Sequence, residues 1–239
     1  MTDGASEAAL QRAPARPGLP RGKLVAWMAL VVVLGAVAYS ANLAESGNPD
    51  RDLLYRWATA IGGAIQYAII LAVVLLIARG VDRRALGLVR PRSWGRALGL
   101  GLAALVAIWV IGGVLNVFLE AGEEQGLVPD GWDSSRAAPF LANFAVVALA
   151  APVVEELAFR GLGYAAVGSV LAPVGTIVVT GVAFGLAHGL VVALPVLSIF
   201  GMILAWLRWK TDSLYPPIVL HAVFNAAALI AAVTLGDAV

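Results

Sequence analysis

The chain predicts an all-α fold, a polytopic bundle of transmembrane helices, on two observations. Of its 239 residues, 61% are hydrophobic and only 13% are charged, so most of its surroundings are lipid rather than water. The apolar residues also gather into runs of about the 17–25 residues needed to cross a hydrocarbon core. A net charge of +1, with basic residues scattered over short loops, argues against a nucleic-acid partner. With no cysteine, a disulfide framework, a thiolate nucleophile and a cysteine-held zinc are excluded together.

Residues 1–23 are rich in Ala, Pro and Arg without apolar periodicity, and read as a disordered tail. Spans are expected near Leu24–Leu43, Trp57–Ala78, Ala97–Leu119 and Pro139–Phe159. Three less cleanly bounded stretches follow, Val174–His188, Pro195–Leu207 and Leu214–Leu235, giving seven helices, with six to eight compatible with the same pattern. The first stretch has the flanks of a signal peptide, but its length of about 20 residues exceeds an ordinary signal core of about 7–15, which favours an uncleaved anchor. The organisation expected is a tail (1–23), three helices with their loops (24–138) and a second helical core (139–239).

Cytoplasmic loops carry the excess of Lys and Arg. With the amino terminus inside, the tail (Arg12, Arg16, Arg21, Lys23), the loop after the second helix (Arg79, Arg83, Arg84, Arg90, Arg92, Arg96), Arg160, Arg208 and Lys210 are all cytoplasmic. Only Arg51, Arg56 and Arg136 fall outside, where Glu120–Asp133 is acidic and where the short end Gly236–Val239 also lies.

Both histidines of the chain, His188 and His221, lie in apolar stretches, as do Glu155 and Glu156. An ionisable group at a span's centre costs about 2.5–3.5 kcal/mol on insertion scales, so such residues are kept for a reason. Positions four apart share a helical face. Glu156 can therefore pair with Arg160, Phe184 shares a face with His188, and His221 shares one with Asn225. Glu155 sits about 100° around the helix from its neighbour, which points Glu155 to chemistry and Glu156 with Arg160 to structure, with Glu156 kept as a candidate catalytic residue as well. A carboxylate and an imidazole in a low-dielectric pocket can take a proton from water. Attack of that water on a peptide carbonyl creates an oxyanion, which an imidazole N–H and an amide NH₂ can stabilise. Glu155 and His188 fit the first task, His221 and Asn225 the second.

Glu155-Glu156-x-x-x-Arg160, Phe184-x-x-x-His188 and His221-x-x-x-Asn225, in that order on successive apolar segments, resemble the CAAX protease and bacteriocin-processing (CPBP, Abi) intramembrane proteases, a family that includes the type II CAAX prenyl endopeptidase. The resemblance covers roughly Phe140–Leu235. It implies an endopeptidase in which Glu155 and His188 activate water while His221 and Asn225 hold the oxyanion, acting on a membrane-associated protein or peptide in the lipid bilayer. It also leaves open a zinc held by Glu155, His188 and His221, although the chain lacks an H-E-x-x-H pair that would put two ligands on one helix. The Ala, Val, Gly and Arg bias points to a bacterial plasma membrane, where a prenylated substrate is not expected.

Each element also has a plainer reading. His188 can be a packing histidine, His221 and Asn225 can bind helices together, and intramembrane Glu, His and Arg also serve transporters and proton relays. A transporter would often show repeated halves, whereas the ionisable residues here are confined to the second half; a non-catalytic scaffold is the other alternative. Gln66, Asn116 and Asn143 are assigned to interhelical hydrogen bonds. Pro216 and Pro217 are expected to distort the start of the last helix, and Gly161, Gly163, Gly181 and Gly185 to allow close helix approach. For Glu155 to meet His188, either the fourth helix runs past Arg160 to about Val167, which is the expectation, or the fifth helix is tilted or broken.

Overall fold

A computed structural model describes residues 19–44, 50–119, 129 and 131–235, with the side chains of Asn116 and Leu235 left aside. The expected tail as far as residue 18, most of the acidic loop and Gly236–Val239 lie outside these residues. Seven helices form among the described residues: α1 (Arg21–Ala44), α2 (Trp57–Ile77), α3 (Trp94–Leu119), α4 (Ser134–Val167), α5 (Pro173–Ala187), α6 (Leu194–Thr211) and α7 (Tyr215–Leu235). Five of them, α1–α4 and α7, are long and apolar enough to cross a membrane, while α5 is a shorter apolar helix. Many large apolar side chains, among them Val33, Ile65, Val106 and Val117, remain exposed on their outer faces, as a lipid-facing surface requires.

The helix α1 begins at Arg21, so residues 21–23 leave the expected tail. There the Lys23 ammonium donates to the carbonyls of Ile77 (2.6 Å) and Arg79 (2.9 Å), satisfying acceptors at the end of α2. Pro216 and Pro217 do not distort α7. They lie in its first turn, where an amide N–H has no intrahelical acceptor and the fixed φ of proline suits the helix.

The fourth helix is the spine of the molecule and runs to Val167, the end expected for it. It is not a uniform α-helix: π segments at Ala145–Ala150 and Leu157–Gly163 interrupt α segments. Pro152 offers no N–H and its ring would clash with the carbonyl four residues earlier, so a widened turn just before it relieves the conflict. A carbonyl of each π segment accepts a side chain from another helix: Val147 O from Asn225 (2.9 Å) and Ala158 O from Trp27 Nε1–H (3.0 Å).

One buried cluster joins Trp27, Val74, Leu157, Phe159, Phe184, Leu204 and Leu214; a smaller one at the opposite end of α4 joins Tyr55, Phe140 and Leu229. Gly163 lies against the indole of Trp27, where a Cβ would come within 2.5 Å of the ring, so α1 and α4 meet only because no side chain intervenes.

Candidate active site

Consecutive residues on α4 serve opposite environments. The side chain of Glu156 is wholly buried, and its Oε1 accepts hydrogen bonds from Arg160 Nη1 (2.8 Å) and from Nδ1 of His221 on α7 (2.9 Å). Arg160, equally buried, donates through Nη2 to Gly201 O on α6 (2.9 Å) and rests its guanidinium 4.3 Å over the ring of Phe184. The pair lies inside the bundle rather than at a helix end, because α4 continues beyond it.

Glu155, one residue earlier, keeps 14% of its side chain exposed. The Tyr67 hydroxyl on α2 donates to its Oε1 at 2.6 Å, and its Oε2 stands 3.7 Å from His221 Nε2. That second separation is too long for a direct hydrogen bond. His221 thus lies between the two glutamates, fixed through Nδ1 and facing Glu155 through Nε2.

The second histidine sits at the carboxyl-terminal cap of α5, half-buried, with Nδ1 2.7 Å from Phe184 O. Donation there puts the ring proton on Nδ1 and the lone pair on Nε2. His188 makes no direct hydrogen bond or ion pair with Glu155 among the described residues. The two imidazoles instead flank one ring, with centroids 4.5 Å (His188) and 5.8 Å (His221) from that of Phe184. Phe200 closes on His221 from α6 at 5.0 Å.

Four residues beyond His221, Asn225 also faces α4, and its bond to Val147 O commits one amide proton and leaves the other. As α7 advances from His221 to Asn225, its partner on α4 recedes from Glu155 and Glu156 to Val147, so the two helices run antiparallel. Tyr67 of α2, Arg160 of α4 and His221 of α7 therefore meet Glu155 and Glu156 directly, and α5 and α6 close on Arg160 and His221 behind them.

Tyr67 is the residue the sequence reading missed. A tyrosine inside an apolar span needs a partner for its hydroxyl, and that was the available signal. Gln66, to which a helix-bridging role was assigned, lies exposed, whereas Asn143 does bridge, donating to Leu54 O and Arg56 O at 3.0 Å each.

The family model described as type II CAAX prenyl endopeptidase Rce1-like matches residues 137–227. Over these residues the chain is similar to that family. No curated protein and no solved structure matches it. The matched region runs from near the start of α4 into α7 and contains Glu155, Glu156, Arg160, Phe184, His188, His221 and Asn225; Tyr67 and Trp27 reach it from outside. The match supports an intramembrane endopeptidase of the CAAX type in an integral membrane protein. Among the described residues no group of three histidine or acidic side chains is gathered as a metal site.

Proposed function

We propose that the protein hydrolyses a peptide bond of a membrane-associated protein or peptide with a water activated at Glu155. The observation that carries this reading is the two-sided setting of that carboxylate, with one oxygen held by Tyr67 and the other turned toward His221 across a 3.7 Å separation. Glu155 and the free Nε2 of His188 are the bases available to the water. As its oxygen bonds to the carbonyl carbon, the water proton passes to this pair. The carbonyl oxygen becomes an oxyanion, the C–N bond then breaks, and the stored proton goes to the departing amine.

His221 and Asn225 are the oxyanion donors in this mechanism. With Nδ1–H given to Glu156, His221 can offer a second N–H only as imidazolium. The charges of Glu155, Glu156, Arg160 and His221 then sum to zero, which suits a site inside the bilayer. No step runs through a metal. On the charge asymmetry of the loops we place the amino terminus in the cytoplasm, and on the Ala, Val, Gly and Arg bias the protein in a bacterial plasma membrane.

The test is a comparison of membrane-protein termini by mass spectrometry in cells carrying the wild type or Glu155→Gln at matched expression. New termini only with the wild type, persisting when the purified protein cleaves the same sequence in the presence of a zinc chelator, are the expected outcome. Identical termini overturn the protease reading, and loss of cleavage on chelation overturns its metal-free form.

A further inference from the structure

A second concavity lies apart from the acidic pair, where α3 begins and α4 and α6 end. It encloses about 410 Å³, within the range of about 300–1,000 Å³ common for ligand sites. Four basic residues line it, Arg92, Arg96, Arg208 and Lys210, against the single carboxylate of Asp212. That carboxylate already faces the Arg208 guanidinium at 3.3 Å, so the surplus positive charge belongs to Arg92, Arg96 and Lys210.

Loop charge that only sets orientation has no reason to converge on one cavity. Here it arrives from two separate elements, the entry and first turn of α3 (Arg92, Arg96) and the last turn of α6 (Arg208, Lys210), while Tyr164 of α4 forms a third side. The ammonium of Lys210 is steered by the indole of Trp209, 4.0 Å below it, and Arg208 lies 5.4 Å over the ring of Tyr164. Trp94 and Trp209 are 55% and 40% exposed at the same ends of the helices, as side chains at the level of lipid headgroups are.

We propose that this cleft binds the phosphate headgroup of an anionic phospholipid. Guanidinium groups engage phosphate oxygens through paired N–H bonds, and an ammonium adds a point charge. The exposed Trp209 in its lining, with exposed Trp94 next in sequence to the lining residue Ser93, favours a ligand whose remainder lies in the membrane, and distinguishes a lipid from free phosphate.

The full-length protein in phosphatidylcholine nanodiscs, with or without phosphatidylglycerol, is assayed by native mass spectrometry for retained lipid. The expected result is selective retention of phosphatidylglycerol, falling about tenfold or more in Arg96→Gln/Lys210→Gln, while the thermal midpoint in phosphatidylcholine alone is unchanged. Both residues are exposed, and the single variant Lys210→Gln, expected to lose part of the retention, serves if the double variant fails to fold. Equal retention of both lipids, or undiminished retention by the variants, overturns the proposal. Inorganic phosphate at millimolar concentration, added without anionic lipid, should not raise the midpoint; if it does so in the wild type and not in the variant, the cleft is a free-anion site and the lipid assignment fails.

Discussion

The two halves of the bundle use their apolar residues differently. Within their most apolar stretches, α1, α2 and α3 are 17%, 11% and 12% buried, against 39% for α4 and 28% for α7. A helix that mainly faces lipid needs only apolar side chains, which are interchangeable, so it carries no motif. A helix enclosed by neighbours must place particular groups, and α4 does so with Glu155, Glu156 and Arg160. Yet the lipid-facing half is not passive: α1 inserts Trp27 against Ala158 O, and α2 presents Tyr67 to Glu155. Each of these two side chains makes a single hydrogen bond among the described residues, Trp27 to the backbone of α4 and Tyr67 to the proposed base.

The strongest way to break this comparison is Glu155→Gln. It should lower the rate of peptide hydrolysis about 10²–10⁴-fold, the usual worth of a positioned general base, with the thermal midpoint nearly unchanged because the amide can still accept from Tyr67. Initial rates on a substrate found from the terminus comparison measure it. Next is Arg160→Met, which leaves Glu156 buried without its cation and should cost about 3–5 kcal/mol of stability. Unfolding in detergent micelles measures this loss, and Glu156→Gln/Arg160→Met should recover much of it.

Tyr67→Phe tests whether α2 has a part in the chemistry. A hydrogen bond to a charged group is worth about 1.5–3 kcal/mol, so kcat should fall about ten- to a hundredfold while KM holds. Trp27→Phe keeps the packing and loses one neutral bond, about 1 kcal/mol, visible as a lower midpoint with activity per folded molecule intact. If both variants instead lost stability alone, α1 and α2 would be equivalent scaffolding and the catalytic half would stand by itself.

The helices were legible in the sequence because apolar run length is a one-dimensional property. Each of the seven expected stretches coincides with an observed helix, with ends within about three or four residues except in α4, which begins five residues earlier and ends eight later than its expected span. The pairing of Glu156 with Arg160 was also legible, being a matter of spacing on one helix. What a helix meets across a gap was not. Nothing local says that Tyr67 rather than Gln66 turns inward, that His221 reaches both glutamates, or that Asn225 spends a proton on Val147. The π segments were hidden too: Pro152 signals a disturbance, but how α4 accommodates it depends on carbonyl acceptors being met from α1 and α7.

The smallest expected effect lies on the loop entering α4, outside the bilayer, and sharpens the comparison by testing a contact that neither half's lipid exposure governs. Asp133 accepts from Ser135 N (2.9 Å), Ser135 Oγ (2.6 Å) and Arg136 Nε (2.6 Å). The serine bonds, and then the arginine, hold its carboxyl down from 3.8 to about 2. A carboxyl whose folded value is depressed contributes stability above its unfolded value and loses it as the pH falls through the folded one. The Asp133 contribution is therefore present above about pH 4 and fades toward about pH 2. Asp133→Asn should lower the unfolding midpoint slightly at about pH 6, and its difference from wild type should close on acidification through that window. A difference that stayed constant with pH would mean that the entry to α4 is held by the shape of the turn, and that charge on this loop adds nothing to the spine on which the site is built.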